Sequence, residues 1–293
     1  MAAPIPAPVY QGLSRTIQIP ACVLSVDDLR RLFIDLDART REVTAAQIDG
    51  LELPAGTAPA DFGRLKAQAK AEAGLTMFVN GRNGEQIILH SAAAITREIL
   101  PHTLLNITLD SASRFNMQLK YDPINRFRLV LDFREPAGVV SYDPWNYPTP
   151  NESTFTIIGN NQTWVAGVSE IVIGFLKDRK RSRRWLHGPI TFTLVNWLIG
   201  FPAAFWLIYR LDTTTQRFIA GLPTALRGGI YIYLFLTLLL IFRVLIYILR
   251  WLFPIIELEG SRSKAVRAAA SVVILGLLAA LIYDVAKAAL ALL

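Results

Sequence analysis

The chain has a single cysteine, Cys22, among 293 residues. That excludes an intramolecular disulfide and any cysteine-based metal site. Charge is scarce too: Asp, Glu, Lys and Arg make up 18% of the residues, where a soluble protein carries about a quarter. Only three histidines occur, His90, His102 and His187, and they show no ligand spacing. No Gly-x-Ser-x-Gly elbow, Walker loop or His-Glu-x-x-His pattern is present. The expectation is therefore a non-enzymatic protein without a cofactor or a metal site. The first ten residues, MAAPIPAPVY, lack both a basic n-region and an apolar h-region, so they do not read as a secretory signal. A Pro/Ala-rich tail over 1–14 is expected to be disordered. With Cys22 alone, this favours a reducing compartment, which makes the sequons at Asn106, Asn151 and Asn161 chance matches.

Apolar residues, by contrast, are abundant, at 53% of the chain. They are spread unevenly. Residues 1–187 read as an ordinary globular region, and almost all the long apolar runs lie beyond 189. Three segments approach the ~20 residues a spanning helix needs, at about 190–209, 229–249 and 265–283. Trp185, Trp206, Tyr209, Tyr231, Tyr233, Trp251 and Tyr283 sit near their ends, where interfacial belts form. The first segment holds Asn196, Gly200 and Pro202, so a re-entrant helix is its alternative. The third is rich in alanine and carries Gly276, which makes it a helix-packing face and points to self-association. The sequence thus predicts an α+β soluble N-terminal domain, an antiparallel or mixed sheet with packed helices, and then an all-α transmembrane region of about three helices.

The net charge of +7 has a local origin. Lys177, Arg179, Lys180, Arg181, Arg183 and Arg184 crowd together just before the first apolar segment. Such a cluster stays on the cytoplasmic side, placing the N-terminal domain in the cytoplasm and the multi-pass protein in the cell membrane. These six side chains are expected to touch lipid head groups, either as a specific anionic site or as a plain topology determinant. No aromatic residues interleave the charges, so nucleic acid is not an expected partner. Three crossings put the C-terminus outside. A re-entrant first segment returns it to the cytoplasm.

Within residues 15–162 the pattern mixes strands and helices. Thr16–Pro20 reads as a strand, and Ser25-Val-Asp-Asp opens a helix with a capping box. Leu29, Leu32, Phe33, Leu36 and Val43 recur on one face of that helix. A second helix is expected over 61–73. The pairs Asn80-Gly81 and Asn83-Gly84 mark a hairpin between 75–79 and 85–90. A short helix over 92–100 and a strand over 104–109 follow. A second hairpin is expected to pair 115–121 with 127–133, and a last strand covers 154–158. Residues 163–188 read as an amphipathic helix joining the domain to the membrane, with a stripe of Trp164, Val168, Ile171, Val172, Phe175 and Leu176.

Three features carry functional expectations. Tyr142, Trp145 and Tyr147 in the Pro-rich stretch 136–150 offer a partner-binding loop, or else they close one end of the core. Arg243 lies inside the second apolar segment and reads as a pore-lining or pairing charge, or as a snorkelling one. Asp27, Asp28, Asp35 and Asp37 crowd the first helix and read as a solvated face or as N-terminal charge favoured by the dipole. Two functions follow: a membrane-anchored interaction or sensing module with a protein partner, and alternatively an oligomeric effector or channel gated by the cytoplasmic domain.

Overall fold

The computed structural model describes residues 12–53, 56, 58–134, 151–180, 186–188 and 193–259, with isolated helical positions between 268 and 287. These fall into two compact units. The first runs to Arg134, resumes at Asn151, and takes in a late piece that starts at Ile255. The second holds the apolar helices.

The first unit is built on six strands, β1 (Leu13–Gln18), β3 (Thr76–Gly81), β4 (Gln86–Leu89), β5 (Leu104–Asp110), β6 (Arg126–Asp132) and β7 (Thr154–Gly159). Their spatial order is β1-β7-β6-β5-β3-β4, and every pair is antiparallel. A period of two buries Phe127, Leu129, Leu131, Phe155 and Ile157 on one face and leaves Arg128, Val130, Thr154 and Thr156 on the other. Helices α1 (Val26–Asp49) and α4 (Gln162–Asp178) pack together and share one apolar core with the inner sheet face. From α1 it receives Leu29, Leu32, Phe33 and Leu36, and from α4 Val168, Val172 and Leu176. Val43, expected on that stripe, is only half-buried; Thr40, Thr44 and Ile48 continue the buried face instead.

Ser25 caps α1 as the sequence predicts. Its hydroxyl accepts from the Asp28 N–H at 3.0 Å, and the Asp28 carboxylate accepts from the Ser25 N–H at 2.9 Å. The second helix, α2 (Pro59–Glu72), also forms. The first expected hairpin forms as β3–β4. Only Gly84 of its two turn glycines takes a positive φ, 83°. Gly81 stays in β3, at a register shift beside Asn80.

Four expectations need correction. Residues 115–121 are not a strand: α3 (Ser113–Leu119) occupies them. The Asp110 carboxylate accepts the N–H groups of Ala112 and Ser113 at 2.7 and 3.2 Å, which turns the chain out of β5 into a helix. Phe115 and Leu119, one turn apart, then join Ile48 and Ala69 in a small second core, and β6 pairs with β5. The helix expected over 92–100 is one 3₁₀ turn, Ala92–Ala94. Strand β1 begins at Leu13, inside the expected tail, because Leu13 and Ser14 find partners in Gly159 and Ile158. And α4 stops at Asp178, well short of 188.

In the second unit, α5 (Phe201–Ile219) and α6 (Thr224–Leu252) form a helical hairpin. Among the described residues, two helices are long and apolar enough to cross a membrane: Thr193–Ile219, with 27 residues, and Thr224–Leu252, with 29. The third expected span, 265–283, lies mostly outside the described residues, so three spans are not established.

Candidate functional site

The first unit holds both ends of the chain that flank the hairpin. After α6 the chain re-enters this unit and forms β8 (Ile256–Leu258), which lies parallel to β2 (Cys22–Leu24). Cys22 N–H donates to the Ile255 carbonyl at 3.0 Å, and Glu259 N–H donates to the Leu24 carbonyl at 2.7 Å. The same Cys22 bridges Lys180, the last described residue before the chain leaves this unit. Cys22, Leu24, Ile256 and Leu258 are all buried in the main core. One three-residue strand therefore fastens both stems of the hairpin. Burial pushes the Cys22 thiol up to about 12, against a smaller downward pull from Arg179. It is a packed side chain, not a reactive one.

Arg179 closes this clamp. It leaves the C-terminal end of α4 and donates to the Asp28 carboxylate at 2.6 Å and to the Phe175 carbonyl at 2.9 Å. Its guanidinium lies 3.6 Å from the centroid of the Phe175 ring. Burial raises the Asp28 carboxyl, but the bonds from Arg179 and Ser25 outweigh it and hold the group below its ordinary value. Asp28 is thus no part of a solvated face. Likewise Arg179 is paired within the first unit, unlike its exposed neighbours Lys177 and Lys180. Arg181, Arg183 and Arg184 lie outside the described residues, as do Tyr142, Trp145 and Tyr147.

A second set of polar contacts gathers at the ends of β6 and β7. Arg134 forks onto Asp132 with bonds of 2.9 and 2.8 Å and also pairs with Glu152. Ser153 accepts the Asp132 N–H at 2.8 Å. Burial raises the Asp132 carboxyl, and the Arg134 bonds bring it below its ordinary value. Elsewhere, a groove of about 360 Å³ runs between α1 and α4, with Arg39, Val43, Trp164 and Val168 in its walls. The Trp164 indole N–H donates to the Arg39 carbonyl at 3.4 Å. No set of catalytic groups converges there.

The hairpin has its own logic. Pro202 has no N–H for the carbonyl of Leu198, and its ring would strike that carbonyl in a regular helix. The chain widens into a π-turn, Asn196–Gly200, just before it. Gly200 is buried there, and a side chain on it would meet Asn196 and Leu239 of α6. Phe201 and Phe205 pack against Phe235 at centroid distances of 5.4 and 4.7 Å. Near the turn, the Tyr231 hydroxyl donates to Asp212 at 2.5 Å and Gln216 donates to the same carboxylate at 2.8 Å.

The Asp212–Tyr231 bond places these two residues level on the paired helices. Tyr209 and Tyr233, at 77% and 75% exposure, lie on the same side of that bond, about 3–4.5 Å below it at 1.5 Å per residue. From Tyr233 to the exposed Trp251 the same rise gives about 27 Å, close to the ~30 Å of a hydrocarbon core. Arg243 falls between them, half-buried, 5.6 Å from the Tyr247 ring centroid and 3.4 Å from its hydroxyl.

Two residues at the other end of the hairpin make contacts that the sequence does not reveal. Arg250, only 1% exposed, donates to the carbonyls of Leu186 and Gly188 at 3.0 and 3.4 Å. His187 Nε2 lies 2.7 Å from the Phe253 carbonyl, which accepts from the ring and so fixes the tautomer. Arg250 reads from sequence as a loop cation, because nothing local marks the carbonyls it will meet. β8 had a weak signal: Pro254 stops the helix, and Ile-Glu-Leu alternates after it. Searches against protein-family models, curated proteins and solved structures return no match to this chain.

Proposed function

We propose that this protein is a membrane-anchored interaction or sensing module, with a hairpin that crosses the bilayer and a soluble unit held at one membrane face. The observation that carries the reading is the clamp: Lys180 and Ile256–Leu258, the two stems of the hairpin, both fasten to Cys22–Leu24. A chain that leaves and re-enters one folded unit crosses the membrane an even number of times between. Two helices of sufficient length lie in that interval. The ~27 Å between exposed aromatic rings supports a transmembrane setting over a core of soluble helices. The basic run 177–184 supports a cytoplasmic soluble unit, and Lys177 and Lys180 are free to meet head groups. A third crossing by 265–283 would then carry the C-terminus out.

The clamp also gives the module its means of transmission. Its stems are rooted in the same core as α1 and α4, so a partner or ligand that shifts those helices moves both stems. A long flexible tether would absorb such a shift. Arg243, near mid-depth, favours a second reading, an oligomeric effector or channel gated by the same clamp.

Membrane potential separates the two. Bacteria would express the full chain, or the full chain with Asp28→Ala and Arg179→Ala together. Intact potential in both, with a cross-linked protein partner on the native chain that the variant loses, is the expected result. Depolarisation by the variant alone would transfer support to the gated channel. Partner capture that survives the broken clamp would remove the argument for transmission. Single cysteines at Gly221 and Glu259 test the crossing itself: an impermeant maleimide should reach them from opposite faces, and labelling from the same face would sink the hairpin assignment.

A further inference from the structure

We propose that the tip of the helical hairpin binds the head groups of anionic phospholipids in the leaflet opposite the soluble unit. The proposal rests on the hairpin crossing the bilayer.

The tip is built from the last turns of α5, the connection 220–223 and the first turns of α6. Three arginines, Arg210, Arg217 and Arg227, stand exposed on it. A translocated turn with three cations runs against the usual bias of such loops toward few lysines and arginines. Charge balance within the tip does not account for them. The single local carboxylate, Asp212, is engaged by Tyr231 and Gln216. Arg210 lies 5.4 Å from the Trp206 ring centroid, and Arg227 donates to the carbonyls of Leu222 and Ala220. Arg217 has no hydrogen bond or ion pair among the described residues. These are cations without a counter-anion among the described residues.

Depth and shape point to lipid over an aqueous partner. The cations begin where the Tyr209 and Tyr233 belt ends, at the boundary of the hydrocarbon. From Arg210 to Arg217 the helix rises about 10 Å, comparable to a head-group layer with the reach of an arginine added. Next to Arg217, Phe218 is 83% exposed, and Leu226 is exposed opposite. Guanidinium groups interleaved with outward apolar side chains fit an interface where phosphates lie beside acyl ester groups. A water-facing protein site would gather its apolar residues into a patch.

The test uses the full chain in bilayers of phosphatidylcholine mixed with phosphatidylglycerol. A fluorophore on Gly221→Cys reports the tip, where an added side chain meets open space. Cys22 stays in place, because it is buried, and the unsubstituted chain gives its background. The readout is quenching by phosphatidylglycerol relative to phosphatidylcholine, each carrying a nitroxide near the ester. The native tip is expected to favour phosphatidylglycerol roughly fivefold for each arginine engaged. Arg210→Gln with Arg217→Gln should lower the ratio roughly fivefold for each of the two arginines removed, leaving only the share of Arg227, since neither residue makes an ion pair among the described residues or caps a helix. A second fluorophore at Leu240→Cys, read with a deep nitroxide, reports the crossing. Deep quenching at Leu240 with a tip ratio near one overturns the lipid site and leaves the hairpin standing, as does a tip label that stays in water. Absence of deep quenching at Leu240 removes the crossing and the lipid site together.

Discussion

The two units hide their apolar residues in opposite ways. In the sheet unit the period of two and the helical stripes sort side chains strictly, so that Leu36, Leu129 and Val168 are buried. In the hairpin α6 is apolar all round, and Leu236, Leu240 and Ile241 face outward. The first unit is therefore stabilised by taking apolar surface out of water. The second has little buried side-chain surface to gain from. Its helices meet through a glycine, two buried alanines, the edge-on and tilted rings of Phe201 and Phe205 on Phe235, and the Tyr231–Asp212 bond. The same leucine should then have a different worth in each unit.

The largest expected effect follows from this contrast. Leu129→Ala in the inner face of β6 should cost about 2–5 kcal/mol, the transfer term plus a cavity in a close-packed core. Leu236→Ala, on the outer surface of α6, should cost under about 0.5 kcal/mol when the full chain is unfolded in detergent. Denaturant titrations of the two variants, followed by tryptophan fluorescence, give the comparison directly. Equal costs would mean that the outer face of α6 is packed against protein. Charge reverses the order of tolerance: Ile241→Asp, on the outer surface of α6 near the middle of the proposed span, should impair insertion by about 2.5–3.5 kcal/mol.

The clamp tests the comparison at its seam. Asp28→Ala should destabilise the first unit by about 1–3 kcal/mol, because it leaves a mostly buried Arg179 with one acceptor fewer. Ser25→Ala removes only the cap and should cost about 1 kcal/mol. A double-mutant cycle with Arg179→Met isolates the pair, and a coupling near zero would refute the clamp as an energetic unit. Acidity offers an independent check. The folded Asp28 carboxyl lies below its unfolded value of about 3.9, so its contribution is complete above that pH and fades as pH falls through the folded value. The gap between the native chain and Asp28→Asn should accordingly be constant near neutrality and close below about pH 4. A gap that closed near pH 6 would implicate another group.

How much of this was legible depends on the range of the interaction. Ser25 and Asp28 lie three residues apart, and their capping box was plain in the sequence. So were the hairpin at Asn83-Gly84 and the two long apolar runs. The pattern 115–121 was misread, since Phe115 and Leu119 fit a strand and a helix equally; the deciding group, Asp110, lies upstream and acts through the backbone. Both halves of the clamp join residues far apart in the chain, Asp28 with Arg179 and Cys22 with Ile256. No local pattern encodes such pairs. The sequence therefore shows Asp28 as a capping and N-terminal charge but not its bond to Arg179, and it shows the first stem as a continuing helix and the second as a loop.

The smallest expected effect concerns the polar bond at the hairpin tip, and it sharpens the contrast most. Tyr231→Phe keeps the ring and removes the hydroxyl that donates to Asp212. In a water-soluble core such a loss, with a carboxylate acceptor, would cost about 1.5–3 kcal/mol. Between membrane helices the measured average is nearer 0.6 kcal/mol, because the separated helices also find partners. Asp212 keeps Gln216 as a donor, and in the proposed crossing it would border the head-group layer, which lowers the cost further. Tyr231→Phe should thus shift the unfolding of the hairpin by less than about 1 kcal/mol. The measurement is far-ultraviolet circular dichroism of the full chain under rising denaturing detergent. A loss of 2 kcal/mol or more, on the scale of a buried charge-assisted bond, would show that water and lipid are both excluded from Asp212. The tip would then be packed inside an assembly of several hairpins, not lodged among head groups.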